Sequence, residues 1–255
     1  MRLLKLFNPA LSLIAVFNCC GDTTMQTQYD NVVRMDGAIA VEQANKVLRN
    51  TYLMLGLTMI PTVIGAMFGM SLNFSFAAEH PIMFAIGMLA VMFGLFYGIS
   101  ATRNSGLGVV LLLVLTGFMG VMLGPILQVA LNLRNGAEIV GLAAGGTGAI
   151  FLTLAGIATT TKKDFSFLGK FLMVGIVLLI LASLANLFFQ IPALALTLSA
   201  VAILLFSGFL LYDVSRVVNG GETNYVMATL AIYLDIYNIF VNLLQLLMAF
   251  MGERD

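Results

Sequence analysis

Seven apolar stretches follow one another along the chain, and each is close to the ~20 residues that an α-helix needs to cross ~30 Å of hydrocarbon. They cover residues 51–70, 82–101, 107–131, 137–159, 169–190, 192–212 and 226–250. The connections are short and carry turn residues: Pro192 follows the fifth stretch, and Gly220 and Gly221 follow the sixth. The pattern predicts an all-α membrane protein, a bundle of seven transmembrane helices formed by residues 46–255.

The first 45 residues do not share this pattern. Residues 3–17 are an apolar run behind Arg2 and Lys5, as in a signal peptide, but no small-residue cleavage site precedes Cys19. We interpret residues 1–45 as a poorly ordered N-terminal tail or an extension upstream of the true start. The sequence leaves open whether translation begins at Met1 or at Met25.

Composition agrees with a membrane protein and excludes several chemistries. Of 255 residues, 60% are hydrophobic and 9% are charged, whereas a soluble domain carries about 25% charged residues. The net charge is zero, so no nucleic-acid partner is expected. Cys19 and Cys20 are adjacent and His80 is the single histidine, so no zinc, haem or His-based catalytic set is indicated. We expect the lipid bilayer as a partner, no resident cofactor and no enzyme activity.

The distribution of lysine and arginine predicts the orientation, because cytoplasmic loops of membrane proteins carry an excess of these residues. One set of loops and helix ends holds Lys46, Arg49, Arg103, Lys162, Lys163, Lys170 and Arg216. The other set holds only Arg134 and Arg254. The bias predicts a multi-pass plasma-membrane protein with a cytoplasmic N-terminus and an outer, periplasmic C-terminus.

Ionisable residues are rare inside the predicted spans, and the two exceptions lie in the last two helices. Asp213 ends the sixth span and Asp235 lies in the middle of the seventh. An ionisable side chain in hydrocarbon is costly, so its presence indicates a function by default. Asn238, Asn242 and Gln245 follow Asp235 on the same helical face. This polar stripe should face the bundle interior, and packing between helices explains its amides better than ligand binding does.

The two aspartates stand 22 positions apart on antiparallel helices, so contact between them is allowed but not demanded. If they meet, both carboxyl groups cannot comfortably ionise in low dielectric, and the pair would share a proton and act as a pH switch. The ionised pair would also attract a transient calcium ion. Two simpler interpretations stay open: Asp213 pairs with Arg216, and a protonated Asp235 hydrogen-bonds between helices.

Motifs of soluble enzymes are not found along the chain. Gly145-Gly146-Thr147-Gly148 lies mid-span, where close helix packing explains it, as it does Gly117, Gly120 and Gly124 in the third span. Two apposed aspartates also occur in intramembrane aspartyl proteases. Tyr212-Asp213 fits one of their motifs, but Leu234-Asp235 does not fit the Gly-x-Gly-Asp motif.

Several ordered stretches between residues 46 and 250 are similar to one family. They are Lys46-Val47-Leu48-Arg49-Asn50-Thr51-Tyr52, Gly124-Pro125-Ile126-Leu127, Asn186-Leu187-Phe188-Phe189-Gln190-Ile191-Pro192, Gly220-Gly221-Glu222-Thr223-Asn224-Tyr225 and Tyr233-Leu234-Asp235-Ile236-Tyr237-Asn238-Ile239-Phe240. The chain resembles the Bax inhibitor-1 family of seven-helix membrane proteins, and within it the bacterial YccA-like branch.

The resemblance implies a bundle in which the last helix is central. Members with an aspartate pair on the last two helices are regarded as pH-sensitive calcium leak channels, and Asp213 and Asp235 match those positions. The YccA-like branch is described instead as inner-membrane proteins that bind and restrain the membrane protease FtsH. In some members an arginine from the second helix latches the pair, and Arg103 is the candidate here by position.

Overall fold

A computed structural model describes residues 42–74, 79–161 and 163–252. The chain divides into two units, Met1–Gln43 and Ala44–Asp255. The described residues are those of the second unit, together with Glu42 and Gln43, which begin its first helix. The helices are α1 Glu42–Ser71, α2 Pro81–Thr102, α3 Gly106–Met122, α4 Gly124–Leu131, α5 Gly136–Thr161, α6 Phe167–Phe189, α7 Pro192–Val218 and α8 Tyr225–Met251. No strand occurs in the described residues.

Within this part of the chain, seven spans are long and apolar enough to cross a membrane, and the predicted seven-helix architecture is confirmed. The third span consists of α3 and α4, which are separated at Leu123. The break precedes Pro125, whose ring and missing N–H disfavour a continuous helix. Sequence and structure differ most at α1, which begins at Glu42 and so includes four residues assigned to the N-terminal tail.

Several sequence interpretations fall outside the described residues. They concern the tail over residues 1–41, the alternative start at Met25, and the cations Lys162 and Arg254. The described cations remain consistent with the positive-residue bias, since Lys163 and Arg216 both lie at the end of the bundle where α5 and α7 end. The orientation itself stays a prediction.

The last helix is the centre of the bundle, as the family resemblance implied. α8 contacts α7, α5, α3 and α2, and it reaches α1 through a hydrogen bond from Thr229 Oγ1 to the carbonyl oxygen of Thr51, 3.4 Å long. Ile232, Ile239 and Leu244 of α8 are completely buried. By contrast, α2 and α6 are mostly exposed, as expected of helices with a broad lipid-facing surface.

A close glycine contact joins α1 to the third span. A Cβ atom added to Gly65 would overlap the carbonyl oxygen of Gly117, and one added to Gly124 would overlap the backbone of Gly69. Membrane helices use small residues in this way, because packing between backbones replaces the hydrophobic effect that lipid cannot supply. The prediction that the glycines of the third span allow close helix approach is confirmed, and their partner is α1.

The start of α8 is held by Asn224, its N-cap residue. The side-chain Oδ1 accepts hydrogen bonds from the amides of Val226 and Met227, at 3.0 and 3.1 Å, which satisfies two otherwise free donors of the first turn. The Nδ2 group donates to the carbonyl oxygen of Arg103 at 3.0 Å and to Asn104 Oδ1 at 2.8 Å. These bonds tie the start of α8 to the α2–α3 turn and so set the depth of Asp235.

Candidate functional site

The carboxyl groups of Asp213 and Asp235 are neighbours across the interface between α7 and α8, a proximity that the sequence left open. Asp213 stands in the second-to-last turn of α7, and Asp235 in the third turn of α8. Asp235 is 5% exposed, and the side chain of Asp213 is 14% exposed. The two aspartates therefore form one pair between the last two helices, in which Asp235 is buried and Asp213 is partly exposed.

One oxygen of this pair lacks a hydrogen-bond donor. Among buried side-chain nitrogen and oxygen atoms of the described residues, Asp235 Oδ2 alone has no partner. An ionised carboxylate can only accept hydrogen bonds, whereas a protonated one can also donate. A single proton on the pair would complete a hydrogen bond between the two carboxyl groups, and loss of that proton would leave two anions in contact.

Arg216 connects the aspartate pair to the α7–α8 loop. Its Nη1 lies 3.6 Å from Asp213 Oδ1, and its Nη2 lies 3.3 Å from Glu222 Oε2. Glu222 Oε1 accepts a hydrogen bond from the amide of Asn224 at 2.9 Å. Asp213 thus makes both contacts that the sequence offered as alternatives, with Arg216 and with Asp235. The bridge to Glu222 was not predicted, because loop conformation is not visible in the spacing of residues.

Arg103, the candidate latch, has an exposed side chain at the end of α2. Its carbonyl oxygen accepts the hydrogen bond from Asn224. In the described part of the chain, the ion pair on Asp213 is made by Arg216 and not by Arg103. A latch formed by Arg103 stays a prediction, and Arg216 is the arginine that this structure places at the pair.

The polar stripe that continues from Asp235 along α8 is only partly buried, in contrast to the expectation that it faces the bundle interior: Asn238 and Asn242 are half-buried and Gln245 is exposed. The amides of Asn238 and Asn242 donate to carbonyl oxygens one turn earlier in α8, at Leu234 and Asn238, both at 2.8 Å. Gln245 Oε1 accepts a hydrogen bond of 3.0 Å from Ser199 Oγ on α7. The two asparagines therefore satisfy their donors within their own helix, and the cross-helix contacts are made by Asp235 and Gln245.

The two aspartates alone offer few ligands for a metal ion. Calcium takes about six to eight oxygen ligands, and two carboxyl groups supply at most four. The described residues contain no group of three or more His, Cys, Asp or Glu side chains that could hold a metal ion. Asp213 is also already paired with the cationic Arg216. The two aspartates alone therefore supply fewer oxygen ligands than calcium usually takes.

A second polar cluster, which sequence reasoning missed, lies on another face of α8. Tyr233 Oη is 2.9 Å from Thr62 Oγ1 of α1, and it donates to the carbonyl oxygen of Thr116 at 3.4 Å. Tyr237 donates to the carbonyl oxygen of Met119 at 3.2 Å. The signal in the sequence was the pair of tyrosines four positions apart on the helix that also carries Asp235.

Comparison with known proteins decides the family. Residues 44–252 match the family model described as "Inhibitor of apoptosis-promoting Bax1". The chain belongs to the Bax inhibitor-1 family. Among relatives in this family, a Neisseria meningitidis serogroup A protein is 44% identical over 212 residues, 82% of this chain and 93% of the relative.

Two further relatives have names that state a function or a location. The Escherichia coli K12 protein named "Modulator of FtsH protease YccA" is 42% identical over 203 residues, 80% of this chain and 90% of the relative. A Vibrio cholerae membrane protein is 42% identical over 205 residues, with 80% of this chain and 90% of the relative covered. The resemblance to the YccA-like branch is thereby shown.

Proposed function

We propose that this protein restrains an FtsH-type membrane protease by binding to it, as an inner-membrane partner and not as an enzyme. The observation that carries the proposal is the 42% identity, over 90% of its length, to the E. coli relative named a modulator of FtsH protease. A relative from Escherichia coli O6:H1, also 42% identical over 203 residues, is named an inner membrane protein. A seven-span bundle would lie in the same bilayer as a membrane-anchored protease.

The arrangement of the loops supports a contact surface at the end of the bundle where α5 and α7 end. Asn224 joins the α7–α8 loop to the α2–α3 turn. Ser215 Oγ and Asn219 Nδ2 both donate to the carbonyl oxygen of Lys163, at 3.0 and 3.2 Å. Three connections are therefore cross-linked by hydrogen bonds, and an ordered surface loses little conformational entropy on binding.

The first test is copurification and substrate turnover in an E. coli strain that lacks its own YccA. We expect the tagged chain to retain FtsH in mild detergent and its overexpression to slow degradation of an FtsH membrane substrate. Glu138→Gln is the matched control, because Glu138 lies in the first turn of α5, at the end of the bundle opposite the proposed contact surface. Absence of FtsH from the purified complex, together with unchanged substrate half-life, would contradict the proposal.

The proposed surface requires the N-terminus to be cytoplasmic and the C-terminus periplasmic. The excess of lysine and arginine at one set of helix ends supports this orientation. A C-terminal alkaline phosphatase fusion should be active, since that enzyme matures only in the periplasm, and a C-terminal fluorescent protein should be dark. The reverse pattern would place the cross-linked loops on the wrong side for the protease and would contradict the orientation.

A second candidate function is a pH-sensitive calcium leak gated by Asp213 and Asp235. The observation that favours it is the buried contact of the two carboxyl groups, with Asp235 Oδ2 lacking a donor. The two functions are compatible, because partner binding would use the loops and ion passage the bundle. Calcium flux into proteoliposomes of the purified protein, with and without the two carboxyl groups, tests this candidate.

A further inference from the structure

A long apolar groove runs between α1 and α5, with α8 as its floor. Its volume is about 860 Å³. On α1 its lining extends from Tyr52 to Met70, about 27 Å along the helix at 1.5 Å per residue, which is close to the thickness of the hydrocarbon core. Exposed side chains such as Met67 and Leu152 border it, so the groove opens sideways toward the membrane.

Glycines on both flanks make the groove wide. Gly56 of α1 and Gly148 and Gly156 of α5 line it, and a Cβ atom added to any of them would meet no atom within 4 Å. This contrasts with Gly65 of α1, which is in tight contact with α3. The groove is therefore space that the fold leaves open along the whole membrane depth.

The groove offers few free polar groups to an occupant. The hydroxyl groups of Thr62, Tyr233 and Tyr237 already bond to groups of the protein, and Thr147 Oγ1 donates to the carbonyl oxygen of Ala143. Contact with its walls is thus mainly dispersive, as with a hydrocarbon chain.

A positive charge at one end of the groove would favour a hydrocarbon ligand that carries an anionic headgroup. Arg49 lies one turn before Tyr52 and two turns before Gly56, so it continues the groove-lining face of α1 beyond the apolar part. Its side chain is exposed, and it makes no ion pair within the described residues. Lys46, also exposed, stands one turn earlier and is accompanied by the exposed Glu42 four positions before it, which leaves Arg49 as the cation of α1 at this mouth that no acidic residue of α1 offsets. At the opposite mouth, Arg134 is accompanied by Glu138, so the charges offset each other.

We propose that the groove between α1 and α5 binds one anionic phospholipid, with its acyl chains along the apolar walls and its phosphate at Arg49. Basic groups at the membrane surface beside a site between transmembrane helices are suited to anionic headgroups. The half of the apolar lining next to Arg49 accounts for the chains, because one leaflet is about half of the ~30 Å hydrocarbon core, and the cationic mouth accounts for the headgroup. This site lies apart from the aspartate pair, and it requires neither the protease contact nor an ion leak.

The test uses the purified full chain in mild detergent, with phosphatidylglycerol and phosphatidylcholine of identical acyl chains as probes. Native mass spectrometry should show about fivefold or greater retention of phosphatidylglycerol, the preference expected of one basic side chain at an anionic headgroup. Arg49→Gln should remove this preference and keep weak binding of both lipids. The control Lys170→Gln, which removes an exposed cation of α6 outside the groove, should leave the preference unchanged.

The groove itself is tested by Gly148→Leu, which fills it, against Gly94→Leu on α2, where a side chain also has open space. Retention should fall only in the first variant. A phosphatidylglycerol with a photoactivatable acyl chain should label α1 and α5 of the unmodified chain, which keeps the test valid if a variant misfolds. Equal retention of both lipids by the unmodified chain, or labelling spread over all helices, would overturn the proposal. So would capture of another protein's helix instead of lipid by a photo-crosslinker at position 148.

Discussion

Replacing Gly65 by alanine is expected to destabilise the helix bundle by about 1–3 kcal/mol, the usual cost of overpacking, and by more if the backbone cannot move. The added methyl group would overlap the carbonyl oxygen of Gly117 and press on Val121. The atoms that the methyl group would meet belong to the backbone, so no side-chain rotation relieves the overlap. Helices α1 and α3 would have to separate, and the neighbouring contact between Gly69 and Gly124 would loosen with them.

Thermal unfolding in mild detergent, followed by loss of the monodisperse peak in size-exclusion chromatography, measures this effect. Gly87→Ala is the matched control, because a Cβ atom at Gly87 on α2 meets nothing within 4 Å. We expect a clearly lower midpoint for Gly65→Ala and an unchanged midpoint for Gly87→Ala. Equal midpoints for the two variants would show that the α1–α3 contact is not tight in the membrane protein.

The spans could be predicted from the sequence because hydrocarbon thickness limits the length of each apolar run. Their ends could not be predicted as well. The helix α1 begins nine residues before the apolar stretch, at Glu42, because a helix can continue past the hydrocarbon with polar residues such as Lys46 on its surface. Hydropathy therefore predicts the part of a helix that lies in hydrocarbon, and it does not predict where the hydrogen-bonded helix itself begins or ends.

The aspartate pair could be anticipated because a short turn between antiparallel helices relates sequence separation to depth. The groove between α1 and α5 could not, since it depends on how two helices distant in sequence stand against α8. Asn186 and Gln190, two polar residues late in the fifth span, show a further limit of sequence reasoning, because their spacing alone does not distinguish a polar stripe like that of α8 from a helix end. Asn186 Oδ1 instead accepts from the amide of Ile191, and Gln190 adopts a left-handed conformation with φ of 52°, so both residues terminate their own helix.

Calcium flux through the protein is expected to depend on pH and on the two aspartates together. Flux is to be compared at pH 6 and pH 8. At the more acidic pH, a proton shared by Asp213 and Asp235 would close a hydrogen bond between the last two helices. At the more alkaline pH, loss of this proton would leave two anions in contact, and their repulsion favours separation of α7 and α8. We therefore expect flux into proteoliposomes to be several times higher at the higher pH.

The double variant Asp213→Asn/Asp235→Asn should lose both the flux and its pH dependence, because an amide pair keeps the hydrogen bond and has no proton to release. The single variant Asp235→Asn should already lower the flux. The remaining anion, Asp213, is paired with Arg216 and has no second anion to repel it, so α7 and α8 are not driven apart. Glu138→Gln, which removes an exposed carboxyl group at the start of α5, is the matched control and should behave like the unmodified protein. If flux is the same at both pH values and persists in the double variant, the aspartate pair is not a gate. Absence of flux in every protein would instead leave the aspartates as a buried contact that holds α7 against α8, and protease binding as the function.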